Sequence, residues 1–588
     1  MNDDFMSRAK SWLSSDIDDD TRDEIQDLID NENISELEDR FYTDLKFGTG
    51  GMRGKMGAGT NRMNIYTVGI ATQGFASYLL EKSSSTMNQG IVIAHDSRNN
   101  SPLFAKRTAE VMAANKIKTY IFNNITPTPL LSFSIRELDT AGGIVITASH
   151  NPPEYNGYKA YLDDGGQLVY PEDEKVLEKV ARTTFEDVKV LDYEKAREEK
   201  LIEEVDEKIT ENYLKAILNA LLDSELCKKT GSQVKVVYSP LHGAGYHLTP
   251  LALKEAGFTN LTVVPQQAQP DGNFPTVSYP NPEDPKAWEL SIQQARKTEA
   301  DLAIANDPDA DRIGLMIKFP NGEYKLLNGN QTGALIVNHV LSNLAKKNNL
   351  PENPYIIKTI VTSELWKKIA DHYQVDVIDV LTGFKYIGEI ITKYQKEKEQ
   401  GKSNRNYICG GEESFGYMIG DHVRDKDGIN AALIIAEIAA FAKQEGITLY
   451  DKLQKIYETY GFHTEKLISF GFEGIEGKQK INSIMSKLRS DPPLQIHQSP
   501  LKEKQDYLEK KITDQQGKQT GETTLPQSNV IALLFQDGTK ITARPSGTEP
   551  KIKFYFFVSN PPGLGSQQQL EHKLKIIEQE YLNHLNLK

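Results

Sequence analysis

Three stretches of the chain repeat one pattern of hydrophobic and polar positions. In each, an apolar, largely β-branched run is followed by a helical stretch, and a second apolar run then ends in a loop rich in polar residues. The paired apolar runs begin at Gly90 and Gly143, at Val234 and Asp301, and at Tyr355 and Tyr407. Short apolar runs that alternate with helices predict buried strands in βαβ units, and therefore α/β domains with parallel or mixed sheets.

The polar loops of all three copies follow the carboxyl ends of their predicted strands. Ligands of open α/β sheets bind beyond these ends, so the three loops are expected to converge on one site. The residues of the three copies differ, however, and three unrelated α/β segments are the alternative to a repeat.

Both ends of the chain depart from this pattern. Residues 1–45 are polar and predict an N-terminal helical arm. Beyond about residue 455, apolar runs that begin at Asn529, Lys540 and Lys551 predict strands, and a final helix is predicted from about 567 to 585. The polar stretch 491–524 predicts a loop.

The predicted fold class is α/β, with three similar α/β domains, mixed sheets and a C-terminal α+β domain. The proposed boundaries after the arm are 46–205, 206–322, 323–455 and 456–588. A chain of 588 residues has room for about four domains of roughly 150 residues each.

Composition narrows the function classes. The net charge is -14 and no Lys/Arg-dense run occurs, which argues against a nucleic-acid partner. Cys227 and Cys409 do not make a disulfide framework, so a reducing compartment is favoured. The N-terminus lacks the apolar core of a signal peptide, and the most apolar helical stretch is too short for a bilayer. We therefore expect a cytoplasmic protein without membrane association.

The segment 147–159 places Ser149 directly after a predicted strand, where a serine hydroxyl is a candidate nucleophile. His150 and Lys159 can supply proton transfer or positive charge. No G-x-S-x-G pattern surrounds Ser149, so a hydrolase elbow is not indicated. The alternative is an Asn-Pro turn in which Ser149 and His150 cap backbone groups.

The segment 306–312 presents carboxylates at alternate positions of an extended loop, Asp307, Asp309 and Asp311, which can therefore face one hard cation. An EF-hand is excluded because Arg312 stands where that loop requires glycine. Three carboxylates leave coordination positions for water or a phosphate oxygen, which suits Mg²⁺. Arg312 can clamp a phosphoryl group. The alternative is a solvated acidic loop.

Two further loops carry weaker signals. Glu412 and Ser414 can hydrogen-bond adjacent sugar hydroxyls in a glycine-rich loop. Arg544 lies in a tight loop with small donors and a glycine, an arrangement that can bind a phosphate. Taken alone, the loop with Glu412 and Ser414 is better explained as a turn, and the loop with Arg544 is equally well explained as a turn.

The segment 47–55 superficially resembles a phosphate-binding P-loop. Its Gly54-Lys55 pair would need glycine at position 49, which is Thr49, and Ser or Thr at position 56, which is Met56. It is therefore interpreted as a glycine-rich loop that holds Arg53 over an anion.

These segments, in this order, resemble the α-D-phosphohexomutase superfamily over nearly the whole chain from about residue 45. The resemblance implies four domains around a central cleft. It identifies Ser149 as the phosphorylated residue and, together with Asp307, Asp309 and Asp311, as a metal ligand. It places the phosphoserine loop in the first domain, the metal loop in the second, the sugar loop in the third and the phosphate loop in the fourth.

The resemblance also implies roles for the remaining candidates. Arg53, His150 and Lys159 fall at catalytic positions of the family pattern. The implied substrate-binding residues are Arg312, Lys385, Glu412, Ser414, Lys426, Arg544, Ser546, Gly547 and Thr548.

The activity implied is that of a Mg²⁺-dependent intramolecular phosphotransferase of the isomerase class. The sequence Gly-Glu-Glu-Ser-Phe-Gly at 411–416 is similar to that of the glucose-type members. These interconvert glucose 1-phosphate and glucose 6-phosphate, with glucose 1,6-bisphosphate as activator and intermediate. The loop 47–55 and the N-terminal arm resemble the branch that includes phosphopentomutases, so pentose or mannose phosphates are the alternative substrates.

Two other classes remain as rivals, a metal-dependent phosphatase and a non-catalytic sugar-phosphate sensor on the same fold. The partner expected is a small sugar phosphate, and the protein is expected to be a monomer or a homodimer.

Overall fold

The computed structural model describes residues 4–48, 50–83, 85–472, 474–546 and 551–587. The chain divides into two units, one made of residues 1–328 and 384–449 and the other of residues 329–383 and 450–588. Among the helices of the described residues, none combines the length and the apolar character that crossing a bilayer requires.

The N-terminal arm consists of three helices, α1 (Asp4–Leu13), α2 (Asp19–Asp30) and α3 (Ile34–Phe41). Asp18 caps α2 by accepting the amide of Thr21. The buried apolar faces of the three helices meet Ala58 in a small core of their own.

The first α/β segment contains a six-stranded mixed sheet with the order β1-β5-β4-β2-β3-β6. Its strands are β1 (Gly51–Lys55), β2 (Ile91–His95), β3 (Thr119–Ile121), β4 (Gly142–Ile146), β5 (Tyr155–Leu162) and β6 (Ile202–Glu204). Its helices are α4 (Ile65–Lys82), α5 (Thr86–Gln89), α6 (Ser101–Ala114), α7 (Thr128–Glu137), α8 (Glu172–Arg182) and α9 (Tyr193–Glu198), with a 3₁₀ turn at Phe185–Asp187. Strands β2 and β4 are buried throughout, as expected for central strands.

The second segment repeats the arrangement with a five-stranded sheet of order β11-β10-β9-β7-β8. Its strands are β7 (Val236–Ser239), β8 (Leu261–Val263), β9 (Leu302–Asn306), β10 (Ile313–Lys318) and β11 (Tyr324–Leu327). Its helices are α10 (Glu207–Asn219), α11 (Ser224–Thr230), α12 (Gly245–Glu255) and α13 (Glu289–Thr298), with 3₁₀ turns at Gly231–Gln233, Pro265–Gln267 and Pro285–Trp288. The buried strand β9 ends one residue before Asp307.

The third segment again alternates helices and strands. Its elements are α14 (Gly329–Lys346), β12 (Pro354–Thr359), α15 (Glu364–His372), β13 (Asp376–Val380), α16 (Phe384–Glu399), β14 (Asn406–Glu412), β15 (Gly416–Ile419) and α17 (Gly428–Gln444). Strands β12 and β13 pair in parallel, and β14 and β15 pair antiparallel. Helix α17 is almost entirely buried, which its apolar sequence demands, and Asp427 caps it by accepting two amides.

The C-terminal segment is built on an antiparallel sheet that runs in the order β16-β23-β22-β21-β18-β19-β20, with β17 paired to β18. Its strands are β16 (His463–Gly471), β17 (Gln495–Ile496), β18 (Ser499–Asp506), β19 (Lys511–Thr513), β20 (Gln519–Glu522), β21 (Ile531–Phe535), β22 (Lys540–Pro545) and β23 (Lys551–Ser559). Its helices are α18 (Leu449–Tyr460), α19 (Gly474–Ser490) and α20 (Gln567–His584).

The predicted fold class is confirmed, since mixed α/β sheets precede a β-rich C-terminal segment. Two local predictions are wrong. The stretch 491–524 contains four strands instead of a loop. In β18, only three of eight positions are buried, so the sequence shows no alternation of apolar and polar residues. The strand is defined by its backbone pairing with β21. The presumed loop 47–55 contains β1, which pairs antiparallel with β5.

Candidate active site

Ser149 lies in the loop between β4 and β5, 4% exposed. Its amide donates to the hydroxyl of Thr147 at 2.8 Å, and its backbone adopts a left-handed φ of 51°, which is unusual for a residue with a Cβ. Its Oγ donates to Asp307 Oδ2 at 2.8 Å and lies 3.1 Å from His150 Nδ1. The serine hydroxyl is therefore held between a carboxylate and an imidazole.

The loop between β9 and β10 gathers three buried carboxylates. Asp307, Asp309 and Asp311 each offer an oxygen, and these oxygens lie within 4.8 Å of one another. Ala310 has a φ of 54°, which turns the loop, and the amide of Arg312 donates to Asp307 Oδ1 at 3.0 Å. Among the described residues, neither Asp309 Oδ1 nor Asp311 Oδ1 has a hydrogen-bond partner.

Buried, clustered carboxylates with free oxygens are costly unless positive charge compensates them. Burial and the carboxylates of Asp309 and Asp311 raise the pKa of Asp307 well above its ordinary value. This donor set is made only of oxygens, and two of them lack hydrogen-bond partners among the described residues, so it fits a hard divalent cation.

Two lysines supply part of the compensating charge. Lys159 Nζ lies 2.7 Å from Asp309 Oδ2 and 3.6 Å from Asp311 Oδ2. Lys426 Nζ lies 3.1 Å from Asp311 Oδ2. Burial alone would lower the pKa of Lys159, but Asp309 and Asp311 outweigh it and hold that pKa above its ordinary value. The antiparallel register of β4 and β5, which pairs Val145 with Lys159, brings this lysine towards the serine loop.

Arg53, His150 and Arg312 complete this cluster. Arg53 extends from β1 and donates to Asn151 Oδ1 at 2.9 Å. His150 contacts the ring of Tyr279 edge-on, with centroids 5.6 Å apart. Burial and the cations of Arg312 and Arg53 lower the pKa of His150 well below its ordinary value, so the neutral imidazole is favoured. Arg312 Nη1 donates to Glu283 Oε1 at 2.6 Å.

The loop with Glu412 and Ser414 is the turn between β14 and β15, and it adjoins the aspartate loop. The amide of Ile313 donates to Phe415 O at 3.0 Å, which ties the turn to the start of β10. Glu412 is 5% exposed. A Cβ at Gly416 would lie 2.2 Å from Lys426 Cδ, so only glycine lets Lys426 pass this strand.

Three family models match the chain in succession. They are the alpha/beta/alpha domains I, II and III of phosphoglucomutase/phosphomannomutase, over residues 44–187, 211–319 and 328–460. A phosphoglucomutase from Staphylococcus aureus is 38% identical over 90% of this chain and 92% of its own. The chain belongs to the phosphoglucomutase/phosphomannomutase family. The predicted resemblance to the phosphohexomutase superfamily is therefore confirmed.

Other members of the family agree. A phosphoglucomutase from Staphylococcus epidermidis is 37% identical over 91% of this chain and 94% of its own. The open form of parafusin, a phosphoglucomutase from Paramecium, has a TM-score of 0.69 at 19% identity and covers 93% of this chain and 95% of its own. A family protein from Burkholderia thailandensis has a TM-score of 0.63 at 18% identity, over 92% of this chain and 98% of its own. At these low identities, the two structures support the fold.

The remaining family-derived candidates among the described residues are Lys385, Arg544 and Ser546. Lys385, at the start of α16, lies 3.2 Å from Asp173 Oδ2 and 3.4 Å from Leu168 O. Arg544 lies on β22 and pairs with Lys553, and the amide of Ser546 donates to Lys551 O at 2.8 Å. Gly547 and Thr548 lie outside the described residues.

The structure adds residues that the sequence analysis missed. Thr128 donates its hydroxyl to Asp309 Oδ2 at 3.2 Å. Asp425, 1% exposed, accepts from Lys426 Nζ at 3.0 Å and from Tyr161 and Gln167 at 2.7 Å each. Asp425 directly precedes Lys426, which is the only signal for it in the sequence. Thr128 is the first residue of α7 and carries no signal in the sequence.

Proposed function

We propose that this protein is a phosphoglucomutase that interconverts glucose 1-phosphate and glucose 6-phosphate through a phosphorylated Ser149. The observation that carries the proposal is the position of the Ser149 hydroxyl, 2.8 Å from the first carboxylate of the buried aspartate triad. Membership of the phosphoglucomutase/phosphomannomutase family and the phosphoglucomutase relatives over 90% of the chain support the same activity.

In this proposal Asp307, Asp309, Asp311 and the phosphorylated Ser149 hold Mg²⁺. The bound ion supplies positive charge that neutralises phosphoryl oxygens. The fit rests on two buried carboxylate oxygens, Asp309 Oδ1 and Asp311 Oδ1, that lack hydrogen-bond partners among the described residues.

The chain's own residues position the transfer, since phosphoryl transfer depends mainly on positioning and charge neutralisation. The Oγ–P bond of phospho-Ser149 breaks as the free hydroxyl oxygen of the sugar phosphate bonds to phosphorus. The hydroxyl proton moves to Ser149 Oγ, and His150 Nδ1, 3.1 Å from Oγ, is placed to relay it. Lys159 remains beside the carboxylates as a fixed positive charge.

The reverse transfer then occurs from the bisphosphate, whose other phosphate must face Ser149. In this proposal glucose 1,6-bisphosphate is both the intermediate and the activator that restores phospho-Ser149. Glu412 and Ser414 bind sugar hydroxyls, and Arg53 assists the transfer as a catalytic residue. Phosphate is bound, or the sugar positioned, by Arg312, Lys385, Lys426 and the loop from Arg544 to Thr548. The buried, unbridged Cys227 and Cys409 fit a reducing, cytoplasmic setting.

A coupled assay tests the proposal. Purified protein receives glucose 1-phosphate, Mg²⁺ and a trace of glucose 1,6-bisphosphate, and formation of glucose 6-phosphate is followed. We expect Ser149→Ala to lose activity by about 10⁶-fold, the size of effect seen when a nucleophile is removed. Ser291→Ala is the matched control, because Ser291 is a fully buried serine whose Oγ has no hydrogen-bond partner among the described residues.

Each contradictory outcome points to a specific error. Faster turnover of ribose 1-phosphate or mannose 1-phosphate would reject glucose as the substrate. Rapid release of inorganic phosphate would favour the phosphatase, and sugar-phosphate binding without turnover would favour the sensor. Full activity of Ser149→Ala would reject the phosphoserine mechanism itself.

A further inference from the structure

Arg98 is a fully buried arginine that the proposed chemistry does not use. It follows β2 by three residues, and its side chain is 0% exposed. A buried guanidinium is unfavourable unless its donors and its charge find partners. The backbone carbonyls to which this guanidinium donates all lie between Ser149 and Tyr155.

The guanidinium of Arg98 donates to three backbone carbonyls of the loop that carries Ser149 and to that of Tyr155, the first residue of β5. Nη2 donates to the carbonyls of Ser149 and Asn151, both at 2.5 Å. Nη1 donates to Pro152 O at 2.9 Å and to Tyr155 O at 3.0 Å. A planar fork with fixed donor directions can hold several carbonyls at once, which a lysine ammonium cannot reproduce. Arg98 therefore fixes the course of the chain from Ser149 to Tyr155.

Neighbouring groups fix Arg98 in turn. Asp96 Oδ2 lies 3.3 Å from Arg98 Nε, and both side chains are 0% exposed. Asp96 Oδ1 accepts the Arg98 amide at 2.9 Å and the Ser101 hydroxyl at 2.8 Å. The guanidinium also lies over the ring of Phe274, 5.0 Å from its centroid. The arginine is thus held before any substrate arrives.

Ser149 needs such support because its left-handed φ of 51° is unfavourable for a serine. Arg98 holds the carbonyl of Ser149, and Asp307 accepts a hydrogen bond from its hydroxyl. Together these two contacts define the direction of Oγ. We propose that Arg98, held by Asp96, is a positioning residue that keeps Ser149 in the conformation needed for phosphoryl transfer. This inference rests on the proposed function of Ser149.

The test compares Arg98→Lys with Arg62→Lys. Arg62 is the matched control, a buried arginine, 3% exposed, that donates to Asp39 O at 3.3 Å and to Asn61 O at 3.1 Å, next to the N-terminal arm. For Arg98→Lys we expect kcat with glucose 1-phosphate to fall about 100-fold, as for a misplacement of about 1 Å, with KM little changed. Arg62→Lys should keep the wild-type kcat.

A second readout needs no activity. Hydrogen exchange of the backbone amides should become faster in Arg98→Lys over residues 147–155, while β2 and the aspartate loop keep their protection. Asp96→Asn, which keeps the shape of its side chain, should give the same pattern more weakly. It replaces Arg98→Lys if that variant does not fold.

The outcomes separate this inference from the proposed function. If the wild type transfers no phosphoryl group between Ser149 and added glucose 1,6-bisphosphate, the proposed function fails, while hydrogen exchange still decides whether Arg98 orders the loop. If the wild type is active and Arg98→Lys keeps its kcat and loop protection, the inference alone is overturned. An equal fall of kcat in Arg62→Lys would overturn it as well.

Discussion

Two ionic clusters in this protein each combine lysines with carboxylates, but their charges are balanced differently. The active-site cluster consists of Ser149, Asp307, Asp309, Asp311, Lys159 and Lys426, together with Arg53, His150 and Arg312. The Lys358 cluster, in the other unit, consists of Lys358, Glu364, Asp379 and Lys540. In the first, two carboxylate oxygens have no hydrogen-bond partner among the described residues. In the second, two cations face two anions.

The Lys358 ammonium, fully buried, shows what a satisfied cluster is like. It lies 2.8 Å from Asp379 Oδ1, 3.1 Å from Glu364 Oε1 and 3.3 Å from Thr362 O, which matches its three donors. Lys540 Nζ adds a second cation 3.0 Å from Glu364 Oε1. A saturated cluster joins chain segments, whereas an unsatisfied one retains affinity for a ligand. The difference predicts that mutations in the two clusters will affect different measurements.

The largest effect is expected for Asp307→Asn, which removes charge from the active-site cluster while keeping its hydrogen bonds. An asparagine can still accept the Arg312 amide and pair with the Ser149 hydroxyl. We expect kcat to fall about 10³-fold, because the metal site loses a carboxylate worth several kcal/mol to the transition state. The unfolding temperature of this variant in EDTA should not be lower than that of the wild type, because the substitution removes one of three carboxylates that repel one another.

The metal response checks the same variant. Mg²⁺ should raise the unfolding temperature of the wild type but not that of Asp307→Asn. Asp371→Asn, which removes a carboxylate from an exposed pair with Lys367, is the control and should behave as wild type. A wild-type response to Mg²⁺ in Asp307→Asn would contradict the metal site.

The next effect is expected in the Lys358 cluster and should appear in stability instead of turnover. Lys358→Met leaves Asp379 and Glu364 without their buried partner, although both are partly exposed and can be hydrated. We expect the free energy of unfolding to fall by about 2 kcal/mol, less than for breaking a fully buried ion pair, because solvent can hydrate the two carboxylates that remain. Urea unfolding measures it, and kcat below the transition should stay within about twofold. Lys367→Met, from an exposed pair, should cost about 0.5 kcal/mol or less. A large loss of kcat without loss of stability would remove the distinction between the clusters.

How far the sequence predicts these clusters depends on whether their residues share a local pattern. Strands β2, β4 and β9 were predictable because each is a continuous apolar run, and the polar loops after β4 and β9 therefore stood out. Strand β18 was not predictable, because most of its side chains are polar and the strand is defined by backbone pairing with β21.

Contacts between distant parts of the chain were also beyond the local pattern. Thr128 reaches Asp309 across 181 residues, and Arg98 reaches Ser149 across 51. Neither residue indicates such a role in the sequence, because Thr128 is the first residue of α7 and Arg98 follows β2 by three residues, outside the family motifs. The family motifs identify groups that react, but the groups that hold them are found only once the fold places them together.

Lys426→Met tests a smaller contribution within the active-site cluster. In the free protein Lys426 pairs with Asp311 and Asp425, and Asp425 retains Tyr161 and Gln167 as donors when the lysine is removed. If Lys426 binds the substrate phosphate, losing a charge-assisted hydrogen bond of about 2 kcal/mol should raise KM for glucose 1-phosphate about 30-fold. Steady-state kinetics measures it, with Lys443→Met, from a partly exposed pair with Asp301, as the control. An unchanged KM would show that Lys426 serves the carboxylates alone.

The smallest effect is the pH dependence of the Lys358 cluster, measured with Glu364→Gln. Burial alone would raise the pKa of Glu364, but Lys358 and Lys540 outweigh it and hold that pKa well below its ordinary value of 4.5. A carboxyl with a depressed pKa stabilises the fold fully above its unfolded pKa, and this stabilisation is lost as the pH falls below that value.

Because the Glu364 side chain is 38% exposed, solvent screens the interaction, and we expect the variant to be less stable at pH 7 by about 1 kcal/mol. Urea unfolding at pH 7 and at pH 3 should show this difference narrowing in acid, since the Glu364 carboxyl of the unfolded wild-type chain then takes up a proton while that of the folded protein stays ionised. Glu509→Gln, from an exposed pair with Lys511, should show no such change. A difference that stays constant between the two pH values would mean that Glu364 acts through packing, and the Lys358 cluster would then owe its stability to shape instead of balanced charge.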